Sequence, residues 1–296
     1  MSSLRWTSKS TSKLSKALCE AGYTVSTTTV RSLLKVLGYS LQSNRKKLEG
    51  SQHPDRDAQF NYINEQALDF QRNDMPVISV DTKKKELVGT FKNAGREWEK
   101  KGQPVPVNVH DFVDKKLGKV IPYGVYDIAR NEGWVNVGVT HDTAEFAVES
   151  IHRWWKTMGR QVYPNAGKLL ITADGGGSNG SRVRLWKWEL QRLATKLDMV
   201  IQVRHFPPGT SKWNKIEHRM FNHITQNWRG RPLTSRMAVV NLISNTRTSQ
   251  GLSIQAELDE TEYETGKKIT DQQMDTLAIS RDDFHGEWNY EISPSQ

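Results

Sequence analysis

With 296 residues, 36% of them apolar and ten tryptophans, the chain is long enough for one large domain beside a small one, and it is not a disordered polymer. Cys19 is the sole cysteine, which excludes a disulfide framework and a thiolate-ligated zinc site. The formal charge of +9 is unevenly spread, with +6 on residues 1–58, +11 on 59–250 and −8 on 251–296, and so basic a body suits a polyanion, nucleic acid foremost.

Residues 10–40 carry two helical stripes. Leu14, Ala17 and Leu18 form the first, and Gly22 sits where that helix ends. Ser26 caps a second helix in which Val30, Leu33, Leu34 and Leu37 follow i, i+3, i+4, i+7. Two helices around a glycine-bearing turn fit a helix-turn-helix with Thr27, Thr28 and Arg31 facing a DNA groove, although any helical hairpin shares the pattern. Residues 1–41 are thus read as a small all-α DNA-binding segment, and the polar, turn-rich stretch 42–58 as a linker.

The texture changes in the segment 59–250. MPVISVD is a strand ending in Asp81; IPYGVYDIA and GWVNVGVTHD are two more, separated by the hairpin signal RNEG. TAEFAVESIHRWWKTMG has helical spacing, and KLLITAD is a continuous apolar strand of the kind buried on both faces. In the helix SRVRLWKWELQRLATKLD, Trp186, Leu190, Leu193, Ala194 and Leu197 share one side; Arg182, Arg184, Lys187 and Lys196 take the other. Strand MVIQVRHF and loop PPGTSK lead into a last helix from Trp213. Three strands, then helix, strand, helix, strand, helix describe an α/β fold, a mixed sheet flanked by helices. Residues 251–296 are set apart as an acidic C-terminal extension. Apolar runs such as AVVNLI at 238–243 are too short to cross a bilayer and no charged-then-apolar leader opens the chain, so a cytoplasmic protein away from membranes is expected.

The glycine run in ITADGGGSNG raises the question of a phosphate cradle. A nucleotide loop needs a Lys-Ser/Thr pair after its glycines, and a dinucleotide fingerprint belongs after the first strand of a βαβ unit; neither holds here. Asp174 is then the functional group, and Gly175, Gly176 and Gly177 give a bulky substrate room to approach it. Asp81 ends a strand in the same way. Taken singly, either aspartate reads as a turn starter. In WNKIEHRMFNHITQNW, Trp213, Ile216, Met220, Phe221, Ile224 and Trp228 share a helix face, and at about 100° per residue Glu217 falls within that arc. A carboxylate there must be paired, protonated or metal-bound. Two strand-end aspartates and one helix glutamate can gather oxygen ligands around two ions of Mg²⁺ or Mn²⁺ for phosphodiester chemistry. Lys83, Lys84 and Lys85 would neutralise phosphates nearby, unless they form a plain solvated turn. His205, at a strand end near the presumed site, and His218, beside Glu217, could help orient a substrate but read more simply as polar surface residues. His110, Asp111 and Asp114 offer a further metal cluster but read more simply as part of a loop inserted after the first strand.

These residues resemble a known family. Asp81, Asp174 and Glu217 look like the DDE triad of transposases and integrases with an RNase H-like core, and PPGTSKWNKIEH resembles the proline-rich loop and Asn-x-Ile-Glu signature of mariner-like insertion-sequence transposases. ISVDTKKKELVGTFKNAGREW, ITADGGGSNG, NWRGRPLTS and DFHGEWNY resemble the Rhodopirellula-type DDE transposases over almost the whole chain. The resemblance implies an RNase H-like catalytic domain at 59–250 that cuts double-stranded DNA at an element's ends and joins the freed 3′-hydroxyl to target DNA. It also implies assembly as a homo-oligomer on DNA, at the nucleoid. Relatives carry a further segment before the stretch beginning WTSKS, so a shortened recognition domain is expected. A plain metal-dependent nuclease on the same fold, or a non-transposing DNA-binding relic, stays open at this point.

Overall fold

A computed structural model describes residues 10–40, 53–114 and 116–295, which belong to two compact units divided between Glu49 and Gly50. In the first unit, α1 (Thr11–Glu20) is capped by Ser10, whose hydroxyl accepts the Lys13 N–H at 3.2 Å. Gly22, at φ +90°, ends α1 as expected. Ser26 caps α2 (Thr27–Val36), accepting the Thr29 N–H at 3.0 Å, and the Ser15 hydroxyl ties the turn to α1 through the Val25 carbonyl. Of the expected stripe on α2, Val30 is buried, whereas Leu33 and Leu37 are exposed.

The second unit opens with α3 (Arg56–Arg72), which buries Ile63, Ala67 and Phe70 at i, i+4, i+7. The stretch expected to be linker therefore already contains the first helical turn; its residues 42–52 lie outside the described ones. Next comes β1 (Val77–Thr82), at the middle of the sheet. On one side it pairs antiparallel with β3 (Lys119–Asp127), followed by β4 (Glu132–Gly138); a two-residue β2 (Glu86–Leu87) joins β3 separately. On its other side run β5 (Lys168–Ala173) and β6 (Val200–His205), both parallel to it. The order β4-β3-β1-β5-β6, antiparallel through β4, β3 and β1 and parallel from β1 to β6, is the RNase H-like arrangement. The β3–β4 hairpin turns where the sequence signals it, with Asn131 in the left-handed region at φ +55°.

Strand alternation sorts side chains onto two faces. Ile78, Val80, Leu169, Ile171 and Ala173 pack beneath α4 (Ala144–Trp154) and α6 (Arg184–Leu197). After α4 the chain continues through a π turn, Trp155–Gly159, into the short α5 (Arg160–Val162). On the opposite face Val77 and Leu170 meet α3. Val120, Tyr126, Val135 and Val137 there meet Ile216, Met220 and Phe221 and the helices α7 (Asn222–Asn227) and α8 (Arg236–Ser244).

The acidic segment after residue 250 is not a separate piece. Its β7 (Ser253–Asp259) lies parallel to β4, and beyond α9 (Asp271–Asp275) the hairpin of β8 (Ile279–Arg281) and β9 (Asn289–Ile292) extends the sheet past β6. The hairpin strands β8 and β9 are short and flanked by charge, so they leave little periodicity to read, whereas in β7 Ile254, Ala256 and Leu258 alternate with polar residues as a half-buried strand requires. Asp259 shows how firmly the segment is held: 1% exposed, it accepts from Asn136 Nδ2 at 2.9 Å, Tyr263 Oη at 2.8 Å and Arg153 Nη2 at 3.1 Å. Burial alone would raise its pKa, but hydrogen bonds from Thr261, Asn136 and Tyr263 outweigh it and hold the carboxyl below the usual range. A depressed carboxylate stabilises the fold above its unfolded pKa and loses that contribution as pH falls through the folded one. Asp259→Ala is expected to cost about 3 kcal/mol near neutral pH, because it orphans buried donors and an arginine. Its urea-unfolding curve should also lose part of the acid-side stability slope of the wild type.

Candidate active site

Asp81 sits near the end of β1, and its side chain alternates with those of Ile78 and Val80, so it lies on the α7 face. Val80 pairs with Ala173 in the parallel register, and one residue further Asp174 follows on the same face at the end of β5. Glu217 comes from the other direction. A 3-10 turn, Ser211–Trp213, precedes it, and Glu217–Phe221 form a π turn leading into α7. Ile216, Met220 and Phe221 anchor that turn to the sheet while Glu217 stays half-buried, inside the apolar arc its sequence position implies. Trp213, expected on the same face, is 53% exposed because the 3-10 turn breaks the helical phase before Ile216.

The three carboxylates feel one another. Burial, then the charges of Asp174 and Glu217, push the Asp81 carboxyl up to about 8. Burial raises Asp174 against the hydrogen bonds of Gly176 and Asn179. It also raises Glu217, where Lys83 and His218 oppose it and Asp174 adds to it. Like charges held this close in a half-buried setting favour a proton or a cation among them.

Several contacts fix the geometry. The Thr82 N–H donates to Asp81 Oδ1 at 2.7 Å. Ser79, two residues before Asp81 and on the same face, donates its hydroxyl to Asn214 Oδ1 and accepts the Ile216 N–H at 3.3 Å. Asn214 Nδ2 donates to the Val80 carbonyl at 3.2 Å and approaches Asp81 Oδ2 at 3.5 Å. Ser79 and Asn214, both fully buried, thus fasten the start of the Glu217 turn to β1. The sequence signal for Ser79 is its period-2 spacing from Asp81. Asn179 and the Gly176 N–H each reach Asp174 Oδ1 at 3.4 Å.

His205 corrects the reading of a surface residue: it is fully buried at the end of β6. Its Nδ1 lies 2.9 Å from the Asp174 carbonyl, which can only accept, so Nδ1 carries the proton. The Tyr290 hydroxyl then donates to Nε2 at 3.1 Å and accepts from Trp186 Nε1 at 3.0 Å. Burial lowers the imidazole pKa to about 4, so it stays neutral and ties Asp174 to β9. His205→Ala is expected to destabilise by about 2–3 kcal/mol through two orphaned polar groups, measurable by urea unfolding.

The candidate DNA-contacting residues separate. Lys84, Lys85 and Arg182 are exposed, as are Thr28 and Arg31 on α2; Thr27 is half-buried. Arg184 is exposed but paired with Asp271 at 2.6 Å. Lys83 is 6% exposed, its ammonium 2.8 Å from Glu86 and 4.4 Å above the Trp228 ring. Lys187, expected on the polar side of α6, is 7% exposed with its ammonium 5.3 Å from the Tyr290 ring. The reason is β9, which covers that side of α6. His218 is exposed, as are His110, Asp111 and Asp114 in the long insertion between β2 and β3. Among the described residues no helix is long and apolar enough to cross a membrane.

The family model for the Rhodopirellula transposase DDE domain matches residues 1–294. No curated protein matches the chain. Among solved structures, the chain is similar to the Mos1 transposase paired-end complex with left transposon end, at 13% identity over 78% of this chain and 64% of that one, with a TM-score of 0.45. It is also similar to the Mos1 strand transfer complex, at 12% identity over the same shares, with a TM-score of 0.44. The chain thus spans about 64% of the length of these Mos1 chains. With a family model matched from Met1 to Pro294 and three acids gathered on one face of its sheet, the chain belongs to the Rhodopirellula transposase DDE domain family.

Proposed function

We propose that the chain is a DNA transposase: it cuts at the ends of a mobile element and joins the freed 3′-hydroxyl to target DNA, with Asp81, Asp174 and Glu217 as ligands for two divalent cations. The observation that carries this reading is the convergence of those carboxylates in a chain of this family. The donor set fits. It is all carboxylate oxygen, which suits Mg²⁺ or Mn²⁺, and the elevated pKa of each acid reflects burial and, at Asp81 and Glu217, negative charge that a cation would offset. Bound there, the cations would activate a water or 3′-hydroxyl and stabilise the departing oxygen.

The chain's own residues do the positioning. Ser79 and Asn214 hold Asp81 in line with the Glu217 turn, and Asn179 orients Asp174. A Cβ on Gly176 or Gly177 would meet nothing within 4 Å, so the loop leaves open space beside Asp174 for a DNA strand. Lys84, Lys85 and Arg182, all exposed, would neutralise phosphates, and the exposed Thr28 and Arg31 would contact the element's ends. Two or more copies would assemble on DNA to bring two ends together.

The test is a cleavage and strand-transfer assay on DNA carrying the element's own ends, with Mg²⁺ or Mn²⁺, comparing wild type with Asp174→Asn. Metal-dependent nicking and joined product, both lost in the variant, are expected. Nicking without joining would reduce the protein to a nuclease. DNA bound but never cut under either metal would end the enzymatic reading.

A further inference from the structure

We infer that His53, Asp55 and His285 form a second metal site, separate from the three carboxylates, that takes a d-block cation such as Zn²⁺. Each residue offers one ligand atom, and these atoms lie within 4.8 Å of one another. His285 Nε2 is 3.1 Å from Asp55 Oδ2, and His53 Nδ1 is 4.0 Å from the same oxygen. Ligand atoms bound tetrahedrally at zinc's usual bond lengths stand about 3.3 Å apart, so these separations bracket a coordination edge.

Proton bookkeeping points the same way. His285 Nδ1 lies 2.8 Å from Glu287 Oε1, and because a carboxylate only accepts, Nδ1 carries the hydrogen. In the neutral ring, Nε2 then turns a lone pair toward the Asp55 carboxylate, and a cation must stand between them: a second proton or a metal. A histidine that donates its outer N–H to a carboxylate while its other nitrogen faces the ion is the usual support around a metal. His53 Nδ1 accepts the Asp55 N–H at 3.2 Å, so it is the unprotonated nitrogen of that ring, and a bound cation would take its one lone pair in place of that hydrogen bond. The Trp288 indole organises both imidazoles: it stacks on His285 at 4.3 Å and meets His53 edge-on at 4.8 Å.

Two nitrogens and one oxygen suit zinc better than magnesium, so this site and the carboxylate site would sort different metals. The side chains of His53, Asp55 and His285 are 33%, 50% and 17% exposed, leaving the ion open to a water as fourth ligand. The ligands join the N-terminal end of α3 to the loop before β9, where Gln59 and Asn289 already exchange side-chain hydrogen bonds. The Trp288 carbonyl accepts the His205 N–H at 3.0 Å, so the clamp leads directly to the residue that holds Asp174. The site is therefore structural, bracing α3 against the β8–β9 hairpin behind the carboxylates.

The experiment uses the tag-free full chain carrying Asp81→Asn, Asp174→Asn and Glu217→Gln, so that the carboxylate site does not report. After chelator treatment, Zn²⁺ is titrated by calorimetry with excess Mg²⁺ present, and Co²⁺ binding is followed by visible absorption. One equivalent of zinc, bound at about micromolar affinity or tighter, and tetrahedral Co²⁺ bands are expected. His53→Ala and His285→Gln should each lose at least 100-fold in affinity, and Glu287→Gln roughly 10–100-fold. His53 lies in a partly exposed turn, so its variant keeps the test decisive should His285→Gln fail to fold. No zinc uptake, or uptake unchanged in His53→Ala, would overturn the site and leave a protonated His285 bridging Asp55 and Glu287.

Discussion

Asp81→Asn is expected to abolish strand cleavage and, in metal-free buffer, to raise the melting temperature. The two effects have one cause. The wild-type carboxyl is driven up to about 8 by burial and by Asp174 and Glu217, so at neutral pH the folded protein either carries an extra proton or tolerates crowded negative charge. Asparagine keeps the Oδ1 that accepts the Thr82 N–H and removes the charge. Discounted for the half-exposed setting, the relief amounts to about 1–3 kcal/mol, which corresponds to roughly 2–4 °C per kcal/mol in a domain of this size. The carboxylate arrangement needed to hold divalent cations goes with it, and cleavage should fall by about 10³-fold or more. Adding Mg²⁺ should raise the melting temperature of the wild type more than that of the variant, since only a ligand bound to the folded state stabilises it. A variant that melts lower without metal, or that still cleaves, would remove Asp81 from the proposed metal site. The readouts are a thermal melt with and without Mg²⁺ and the cleavage assay.

Gly124→Val is expected to lower both stability and activity although residue 124 carries no chemistry. Gly124 pairs with Asp81 across β1 and β3, and the Glu217 turn lies directly over it. A Cβ there would stand 2.6 Å from Met220 Cε, 2.6 Å from Phe221 Cε1 and 2.8 Å from Ile216 Cδ1. Those three side chains seat the turn on the sheet, so a branched side chain at 124 lifts Glu217 away from Asp81. Overpacking of this kind costs about 1–3 kcal/mol. A displacement near 1 Å at a reacting group is worth roughly 100-fold in rate. Met220→Ala in the same chain should recover part of both, which a general folding defect would not allow. Denaturant unfolding and single-turnover cleavage separate the two losses. Wild-type rates in the single variant would show that the clearance at Gly124 does not set the position of Glu217.

What the sequence determined by itself was local. The strand-helix order, the Ser26 cap, the RNEG turn and the strand-end positions of Asp81 and Asp174 follow from periodicity and turn chemistry within a few residues. So does the placement of Glu217 in an apolar arc, because one side of a helix can be read from spacing alone. The tertiary structure decided everything that depends on pairing across long separations. The acidic C-terminal segment reads as an appendage until β7 is found beside β4 and β9 beside β6. That same β9 buries Lys187, which helical spacing placed on the open side of α6, and supplies the Tyr290 hydroxyl that holds His205. Ser79 and Asn214 stand 135 positions apart and meet only because β1 and the Glu217 turn share a face. Local spacing states which way a side chain points on its own element. Which element then covers it is set by strand order and register, and those are properties of the assembled sheet.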